Sequence, residues 1–185
     1  MRTLATELRR WQPHINLVAS STIGDIETRH IADSLQFVPM LADRARIVDI
    51  GSGGGFPGLV IAACRPDARV HLVETVGKKC AFLRSAVRAM GLDNVTVHHG
   101  RIEILAGTLE RADAVTARAL APLDRLLDLS VPLLEAQGRC VFAKGQTYEA
   151  EIQQASRRWH WANLEIVPSA IGDGAMLVLS GIERQ

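Results

Sequence analysis

Residues 47–58, which read Ile-Val-Asp-Ile-Gly-Ser-Gly-Gly-Gly-Phe-Pro-Gly, constrain the fold of this chain more than any other stretch. A short run that favours β-structure leads directly into a cluster of glycines, and Pro57 stands where a helix would begin. This order predicts a buried strand, a turn with close backbone approach and a helix N-terminus. Ligands bind beyond the carboxyl ends of the strands in a parallel α/β sheet. The turn is therefore the first candidate binding site.

The rest of the chain alternates strands and helices. Strands are predicted over residues 46–50, 70–74, 95–98, 112–117, 138–143, 163–167 and 175–181, with a loop between the last two short enough for an antiparallel hairpin. Helices are predicted over residues 3–12, 24–41, 57–64, 76–90, 123–135 and 147–160. We therefore expect a single domain over residues 1–185, in which a helical cap (1–45) packs on a doubly wound α/β core (46–185).

Length and charge narrow the possible classes of protein. At 185 residues the chain can bury one sizeable core. Its net charge of +1 predicts no general attraction to nucleic acid, so any such contact has to come from a local basic patch. Three widely spaced cysteines without a CxxC pair predict a reducing compartment, neither disulfides nor a metal site, and a cytoplasmic location. No signal peptide or membrane-spanning stretch is expected.

The register of the glycines bears on the choice of ligand. A dinucleotide fingerprint G-x-G-x-x-G read from Gly51 meets Phe56 at its sixth position, and read from Gly53 it places Pro57 inside the turn. Proline removes a backbone donor that a pyrophosphate would use. The alternation of Asp49, Gly51, Gly53 and Gly55 resembles the first motif of Class I S-adenosylmethionine-dependent methyltransferases more closely. An NAD-linked oxidoreductase remains the less favoured alternative.

Two acidic residues follow predicted strands and suit a nucleoside. Glu74 ends the second strand, where it can accept hydrogen bonds from both ribose hydroxyls. Glu103 follows the third strand, and with Ile102 it is a natural neighbour of an adenine. Both carboxylates support a nucleoside ligand, although Glu74 would serve NAD equally well.

The face formed by His30, Asp33 and Ser34 has two interpretations. These residues are spaced i, i+3, i+4 and so share one side of a helix. Spacing alone favours an ion pair between Arg29 and Asp33 and a packed histidine. The alternative is that this face lines a binding site.

Several further stretches make a resemblance specific. Their sequences are Trp11-x4-Asn16-Leu17, Arg29-His30-Ile31-x-Asp33-Ser34-Leu35, the glycine stretch Asp49–Gly58, Gly77-Lys78-Lys79-x2-Phe82-Leu83, Arg101-Ile102-Glu103, Ala117-Arg118-Ala119-x-Ala121 and Lys144-Gly145. Together and in this order they resemble the RsmG (GidB) family, which methylates N7 of a guanine in 16S ribosomal RNA. The resemblance implies a Rossmann-like fold, S-adenosylmethionine as cofactor and 16S rRNA as partner, within a small-subunit particle or precursor and with no obligate protein partner.

The resemblance also implies a set of site residues. The cofactor is expected to meet Asp49, Gly51, Ser52, Gly53, Phe56, Glu74, Ile102, Glu103 and Arg118. His30, Asp33 and Ser34 are expected to line the site with Arg118, which reverses the preference from spacing. RNA contacts are expected at Lys78, Lys79, Arg118 and Lys144.

Three departures from the family pattern accompany the resemblance. The second strand ends in Glu-Thr where many relatives have Asp-Ser, and either acid can accept the same hydrogen bonds. Leu120 replaces a common phenylalanine, which weakens a stacking role at that position. Little sequence precedes the first helix, so part of an RNA-facing segment is expected to be absent.

Methylation of N7 would need little acid–base help, since this nitrogen has a lone pair and no proton to lose. No general base is therefore assigned, and His30 is the only nearby candidate. The alternative is a methyltransferase that acts on a small molecule or a protein, which the local basic residues disfavour.

Overall fold

The computed structural model describes residues 1–185 and is organised around one seven-stranded sheet. The strands are β1 Arg46–Ile50, β2 Arg69–Glu74, β3 Val95–His99, β4 Ala112–Arg118, β5 Leu134–Lys144, β6 Trp159–Pro168 and β7 Ala175–Arg184. Their order is β3-β2-β1-β4-β5-β7-β6, with β1 to β5 parallel and β7 antiparallel to both of its neighbours. The predicted mostly parallel sheet with an antiparallel C-terminal hairpin is confirmed.

The chain also forms eight α-helices, which pack against the sheet or belong to the N-terminal segment. They are α1 Arg2–Trp11, α2 Ala32–Leu35, α3 Phe37–Met40, α4 Gly58–Cys64, α5 Gly77–Met90, α6 Ile102–Leu105, α7 Leu123–Ser130 and α8 Tyr148–Ala155. Apolar side chains of α4, α5 and the N-terminal segment pack on one face, and those of α7 and α8 pack on the other. None of the helices is both long and apolar enough to cross a membrane.

Strand β1 is an inner strand of the sheet and is covered by an apolar core on each face. Ile47 packs into the core on one face, while Val48 and Ile50 pack into the core on the other. A strand that is buried on both faces reads as a nearly continuous apolar run, which is why residues 47–50 were recognisable from sequence. The glycine turn follows at the carboxyl end of this strand.

The N-terminal segment shares its core with the α/β part. Leu8 and Phe37 are completely buried in the same cluster as Ile47 and Leu59. Trp11 meets the ring of Phe82 edge to face, with 6.1 Å between ring centroids. The cap is therefore fastened to the sheet by apolar packing.

The predicted helix over residues 24–41 is wrong in its continuity. A 3₁₀ segment at Ser20–Asp25 and a π-helical turn at Ile26–Ile31 precede α2, and the chain breaks again before α3. The hydroxyl of Thr22 donates to the carbonyl of Ala19 at 3.0 Å, a local bond that competes with helix formation. Pro39 cannot donate to the carbonyl of Leu35, so a regular helix cannot cross this point.

The predicted helix over residues 147–160 is too long. Helix α8 ends at Ala155, and β6 already begins at Trp159. Trp159 is 4% exposed and belongs to the core, while His160 points outward, as alternation along a strand requires. The aromatic cluster near residue 160 therefore serves packing.

Candidate active site

The glycine turn after β1 leaves its backbone bare. Gly51, Gly53 and Gly55 have φ of +67°, +52° and +83°, a region that side chains disfavour. A Cβ added to Gly51 would lie 2.6 Å from Leu120 Cδ1. The N–H groups of Gly51 and Ser52 donate to the carbonyl of Val73 in the neighbouring strand, at 2.9 and 3.1 Å. The turn is thus fixed to β2 and is accessible to a ligand only through its backbone.

Asp49 supports this turn from below. Its side chain is completely buried, and Oδ1 accepts a hydrogen bond from Thr116 Oγ1 at 2.8 Å. Burial raises the pKa of Asp49 to about 7. A Cβ added to Gly58 would lie 2.7 Å from Oδ2, so only glycine fits there. The position of Asp49 differs from the one expected of a cofactor contact, because the carboxyl group lies beneath the turn instead of facing a ligand.

Glu74 joins the end of β2 to the glycine turn. Its Oε2 accepts from the N–H of Gly53 at 3.0 Å, and its Oε1 accepts from the N–H groups of Thr75 and Val76 at 2.7 and 2.8 Å. Thr75 Oγ1 also donates to Oε1, at 3.3 Å, so the remaining capacity for a hydroxyl is on Oε2, which accepts only one bond. The carboxylate stands at the strand end where a ribose was predicted.

The two residues expected near an adenine lie at the start of α6. Ile102 is buried, whereas Glu103 is half exposed and bound to Arg125. Neither lines the main cleft of the molecule. The segment before them is joined to the end of β2, since the N–H of Gly100 donates to the carbonyl of Glu74 at 3.0 Å.

A cleft of about 780 Å³ opens at the carboxyl edge of the sheet. It lies between the N-terminal segment, the glycine turn, the ends of β4 and β5, and the loop before β7. Among the predicted site residues it is lined by His30, Asp33, Gly51, Ser52, Gly53, Phe56, Lys79, Arg118 and Lys144. The other predicted residues, Ser34, Asp49, Glu74, Lys78, Ile102 and Glu103, lie outside its lining.

Arg118 links the end of β4 to the N-terminal segment. Its Nη1 donates to Asp33 Oδ2 at 3.2 Å and to the carbonyl of His30 at 3.3 Å, and its Nη2 donates to His30 Nδ1. The guanidinium also lies over the ring of Phe56, 5.6 Å from the centroid. Asp33 therefore pairs with Arg118, and the ion pair with Arg29 that spacing favoured does not form.

His30 is held neutral in this wall. Its ring stacks on Phe56 with 5.3 Å between centroids, and Nε2 lies 2.8 Å from Thr22 Oγ1. Burial, then the charges of Arg118 and Arg29, lower the pKa of His30 to about 4. Because Arg118 donates to Nδ1, the proton must be on Nε2, which donates to Thr22.

Ser34 does not line the cleft, in contrast to its prediction. The side chain is fully buried, and Oγ donates to the carbonyl of His30 at 2.7 Å. A bond to the carbonyl four residues earlier is the usual solution for a serine inside a helix. Ser34 therefore stabilises the backbone that carries His30.

The three lysines expected to contact RNA have different environments. Lys79 lines the cleft and Lys78 is exposed beside it at the start of α5. Lys144 is only 9% exposed in its side chain and is bonded to Glu151 and to the carbonyl of Ala121. Its ammonium is therefore not free for a phosphate.

Sequence reasoning missed one wall of the cleft. The loop between β6 and β7 contributes Ser169 and the residues from Ile171 to Gly174, and the start of β7 adds Ala175 and Met176. Gln36 accepts a hydrogen bond from the N–H of Ala170 at 2.8 Å, and Gln146 donates to Asp173 at 2.5 Å. No motif in the sequence pointed to this loop, because its place depends on contacts with residues far away in the chain. Within the structure, no group of three or more His, Cys, Asp or Glu side chains is arranged to hold a metal.

Comparison with known families gives this geometry its context. The model of the GidB family, described as rRNA small subunit methyltransferase G, matches residues 1–172. The chain belongs to the GidB family. The family predicted from the motifs is confirmed, and so is its reaction class, S-adenosylmethionine-dependent methylation of small-subunit rRNA.

Curated relatives with the name ribosomal RNA small subunit methyltransferase G include proteins from three bacteria. The protein of Bradyrhizobium diazoefficiens is 43% identical and aligns with 96% of this chain and 69% of its own length. That of Paramagnetospirillum magneticum is 45% identical, with 96% and 85% covered. That of Paracoccus denitrificans is 42% identical, with 100% and 95% covered.

Solved structures confirm the Class I methyltransferase fold. Cofactor-bound Rv0187 has a TM-score of 0.67 at 17% identity and covers 97% of this chain and 89% of its own. The O-methyltransferase from Bacillus cereus in complex with SAH has a TM-score of 0.65 at 16% identity, with 97% and 91% covered. At such identities the likeness concerns the fold alone.

Proposed function

We propose that this protein transfers a methyl group from S-adenosylmethionine to N7 of a guanine in 16S rRNA, acting on a small-subunit particle or its precursor in the cytoplasm. Membership of the GidB family supports S-adenosylmethionine as the methyl donor and 16S rRNA as the substrate. The choice of the N7 atom rests on the chemistry of the cleft. Three cysteines without a disulfide partner accord with a reducing compartment.

The residues of the turn fit the cofactor. The bare backbone of Gly51 and Gly53 would meet its amino-acid part, and Glu74 would accept a ribose hydroxyl. When bound, S-adenosylmethionine supplies a methyl group on a sulfonium that needs no further activation. The task of the chain is then to align the acceptor, and such positioning can lower a barrier by about 7–11 kcal/mol.

The observation that carries the proposal is that each potential base in the cleft is already hydrogen-bonded. His30 uses both ring nitrogens, one toward Arg118 and one toward Thr22. Asp33 accepts from Arg118 and from Gln36 at 3.1 Å, and Asp173 accepts from Gln146. Acceptors such as hydroxyls must lose a proton, whereas guanine N7 offers a lone pair directly. The imidazole therefore has no free nitrogen, and both carboxylates already accept from neighbouring side chains, an arrangement that suits N7.

Arg118 would act from its present position by holding His30 and Phe56 in one wall of the cleft. Its planar fork suits a carboxylate or the O6 edge of guanine. A direct bond to either would replace one of the bonds to Asp33 or His30. Donation to N7 itself would block the nucleophile.

RNA contact would come from cations at the edge of the cleft. Arg29 and Lys79 line it and form no ion pair, and Lys78 is exposed nearby. Most of the other arginines are paired with carboxylates, which leaves a small basic patch on a nearly neutral chain. A small patch predicts weak binding to naked RNA, so a folded particle is the better substrate.

The test is methyl transfer to small subunits that lack the modification, followed by mapping of 7-methylguanine. We expect incorporation at N7 of one guanine, with less on naked 16S rRNA. Glu74→Ala should abolish most of the signal by weakening cofactor binding, whereas Glu165→Ala, which removes an exposed acid of β6, should not. Transfer to another atom, or none while S-adenosylhomocysteine demonstrably binds, would refute the proposal.

A further inference from the structure

The ammonium of Lys144 is turned into the protein at the end of β5. Its Nζ donates to the carbonyl of Ala121 at 2.8 Å and lies 2.6 Å from Glu151 Oε2. Its side chain is 9% exposed. A lysine used for phosphate contact would keep its ammonium in water, so this arrangement indicates a different task.

Glu151 completes the arrangement from α8. The same Oε2 accepts a hydrogen bond from the N–H of Leu123 at 2.8 Å, at the first residue of α7. An acidic group is favourable at a helix N-terminus. Lys144 and Glu151 together therefore hold the chain on both sides of Pro122, which has no N–H of its own. We call this pair the Lys144–Glu151 clamp.

The clamp fixes one end of a short segment that crosses the site, residues 119–121. The other end follows Arg118, which is itself bound to Asp33 and His30. Between the two anchors, Ala119 has φ of +52°, a conformation that a non-glycine residue adopts at a cost. Such backbone persists where its surroundings hold it in place.

The held segment touches the glycine turn. The side chain of Leu120 lies so close to Gly51 that a Cβ on that glycine would stand 2.6 Å from Cδ1. Movement of residues 119–121 would therefore shift Leu120 away from the glycine turn and change the position of the Arg118 guanidinium. A displacement of about 1 Å near reacting groups can cost about 100-fold in rate.

We propose that Lys144 and Glu151 are positioning residues for methyl transfer, and that they act by holding residues 119–121 against the glycine turn. Lys144 then makes no contact with RNA phosphate, contrary to the expectation from sequence. The inference rests on the proposed function, because its main readout is transfer to rRNA.

Lys144 is positive and Glu151 is negative, so removing each charge separately distinguishes a positioning role from a contact with RNA phosphate. In the positioning role, Lys144→Met and Glu151→Gln both lower kcat about 10-fold or more and leave KM for the RNA within about 2-fold. The double variant loses no more than the worse single variant, since both changes release the same segment. The matched control Glu149→Gln, which removes an exposed acid of the same helix, leaves kcat unchanged.

A phosphate contact would instead make the salt dependence of RNA binding shallower in Lys144→Met, by about 0.7–0.9 in slope, and Glu151→Gln would bind RNA more tightly. Either result overturns the proposal.

A second readout is independent of transfer. Hydrogen exchange at the amide of Leu123 should speed up at least 10-fold in Glu151→Gln, with S-adenosylhomocysteine bound or not, and remain as in the wild type in Glu149→Gln. Unchanged exchange would also overturn the proposal. If the wild type failed to methylate rRNA, the proposed function would fall, whereas the exchange measurement would still decide whether the clamp holds the segment.

Discussion

The environment of His30 shows how a single side chain acquires its role. An imidazole near a reaction centre is an obvious candidate base. Here Arg118 donates to Nδ1, and the Nε2–H donates to the hydroxyl oxygen of Thr22. The ring is consequently neutral, stacked on Phe56 and hydrogen-bonded to the guanidinium, which also lies over Phe56.

This environment has a consequence for pH. The pKa of His30 is about 4 in the folded protein and about 6.5 in an unfolded chain. The unfolded chain binds more protons between these values, so the contribution of His30 to stability is present above about pH 6.5 and is lost as the pH falls toward 4. We expect this loss to be about 1–3 kcal/mol in the free energy of unfolding.

The direct measurement is an NMR titration of the His30 ring. We expect no protonation above pH 5 in the wild type. In Arg118→Met the pKa should move back toward 6.5, because the donor to Nδ1 and a nearby positive charge are removed. Titration of the wild-type ring near 6.5 would contradict the description of this wall.

Helix α5 is the element that best suits contact with a phosphate backbone. Its 14 residues include Lys78, Lys79, Arg84 and Arg88 and no acidic residue. None of the four forms an ion pair with a carboxylate. The helix begins beside the cleft, since Lys79 lines it. The helix therefore places a local excess of positive charge beside the cleft, which attracts a phosphate backbone.

We therefore expect α5 to determine how RNA binding responds to salt. Lys78→Gln combined with Arg88→Gln should weaken binding and make the slope of log K against log salt shallower by about 1.4–1.8. Fluorescence anisotropy with rRNA fragments, or filter binding with small subunits, would measure the slope. Arg157→Gln, which removes an exposed arginine after α8, is the control. An equal change in the control would mean that α5 has no special place in RNA binding.

At the scale of the whole chain, the N-terminal cap and the α/β part share one core. Leu4, Leu8 and Phe37 are fully buried in the cluster that also holds Leu59 and Phe82. Separate domains would each need a core of their own. The two parts should therefore unfold together.

Calorimetry should accordingly show a single transition, with equal calorimetric and van't Hoff enthalpies. Leu8→Ala should lower the free energy of unfolding by about 2–5 kcal/mol for the whole chain. Leu35→Ala, at a side chain that is 42% exposed, should change it little. Two transitions, or a shift confined to one of them in Leu8→Ala, would show that the cap is an independent unit.

Features carried by neighbouring residues were predictable from the sequence. The strand, glycine turn and helix over residues 46–64 follow from apolar runs and from the freedom of glycine at positive φ. The acid at the end of β2 and the family motifs were likewise readable along the chain. Each of these features depends only on the order of neighbouring residues, so it can be recognised before the tertiary structure is known.

Features that depend on distant partners were not predictable. Arg118 meets residues 88 and 85 positions away, and these bonds decide that His30 is neutral and that Asp33 does not pair with Arg29. The clamp turns Lys144 inward because α8 brings Glu151 beside it. The stretch Asp49–Gly58 is therefore a local structure whose surroundings come from the rest of the fold, since burial and choice of partner are properties of packing and not of sequence order.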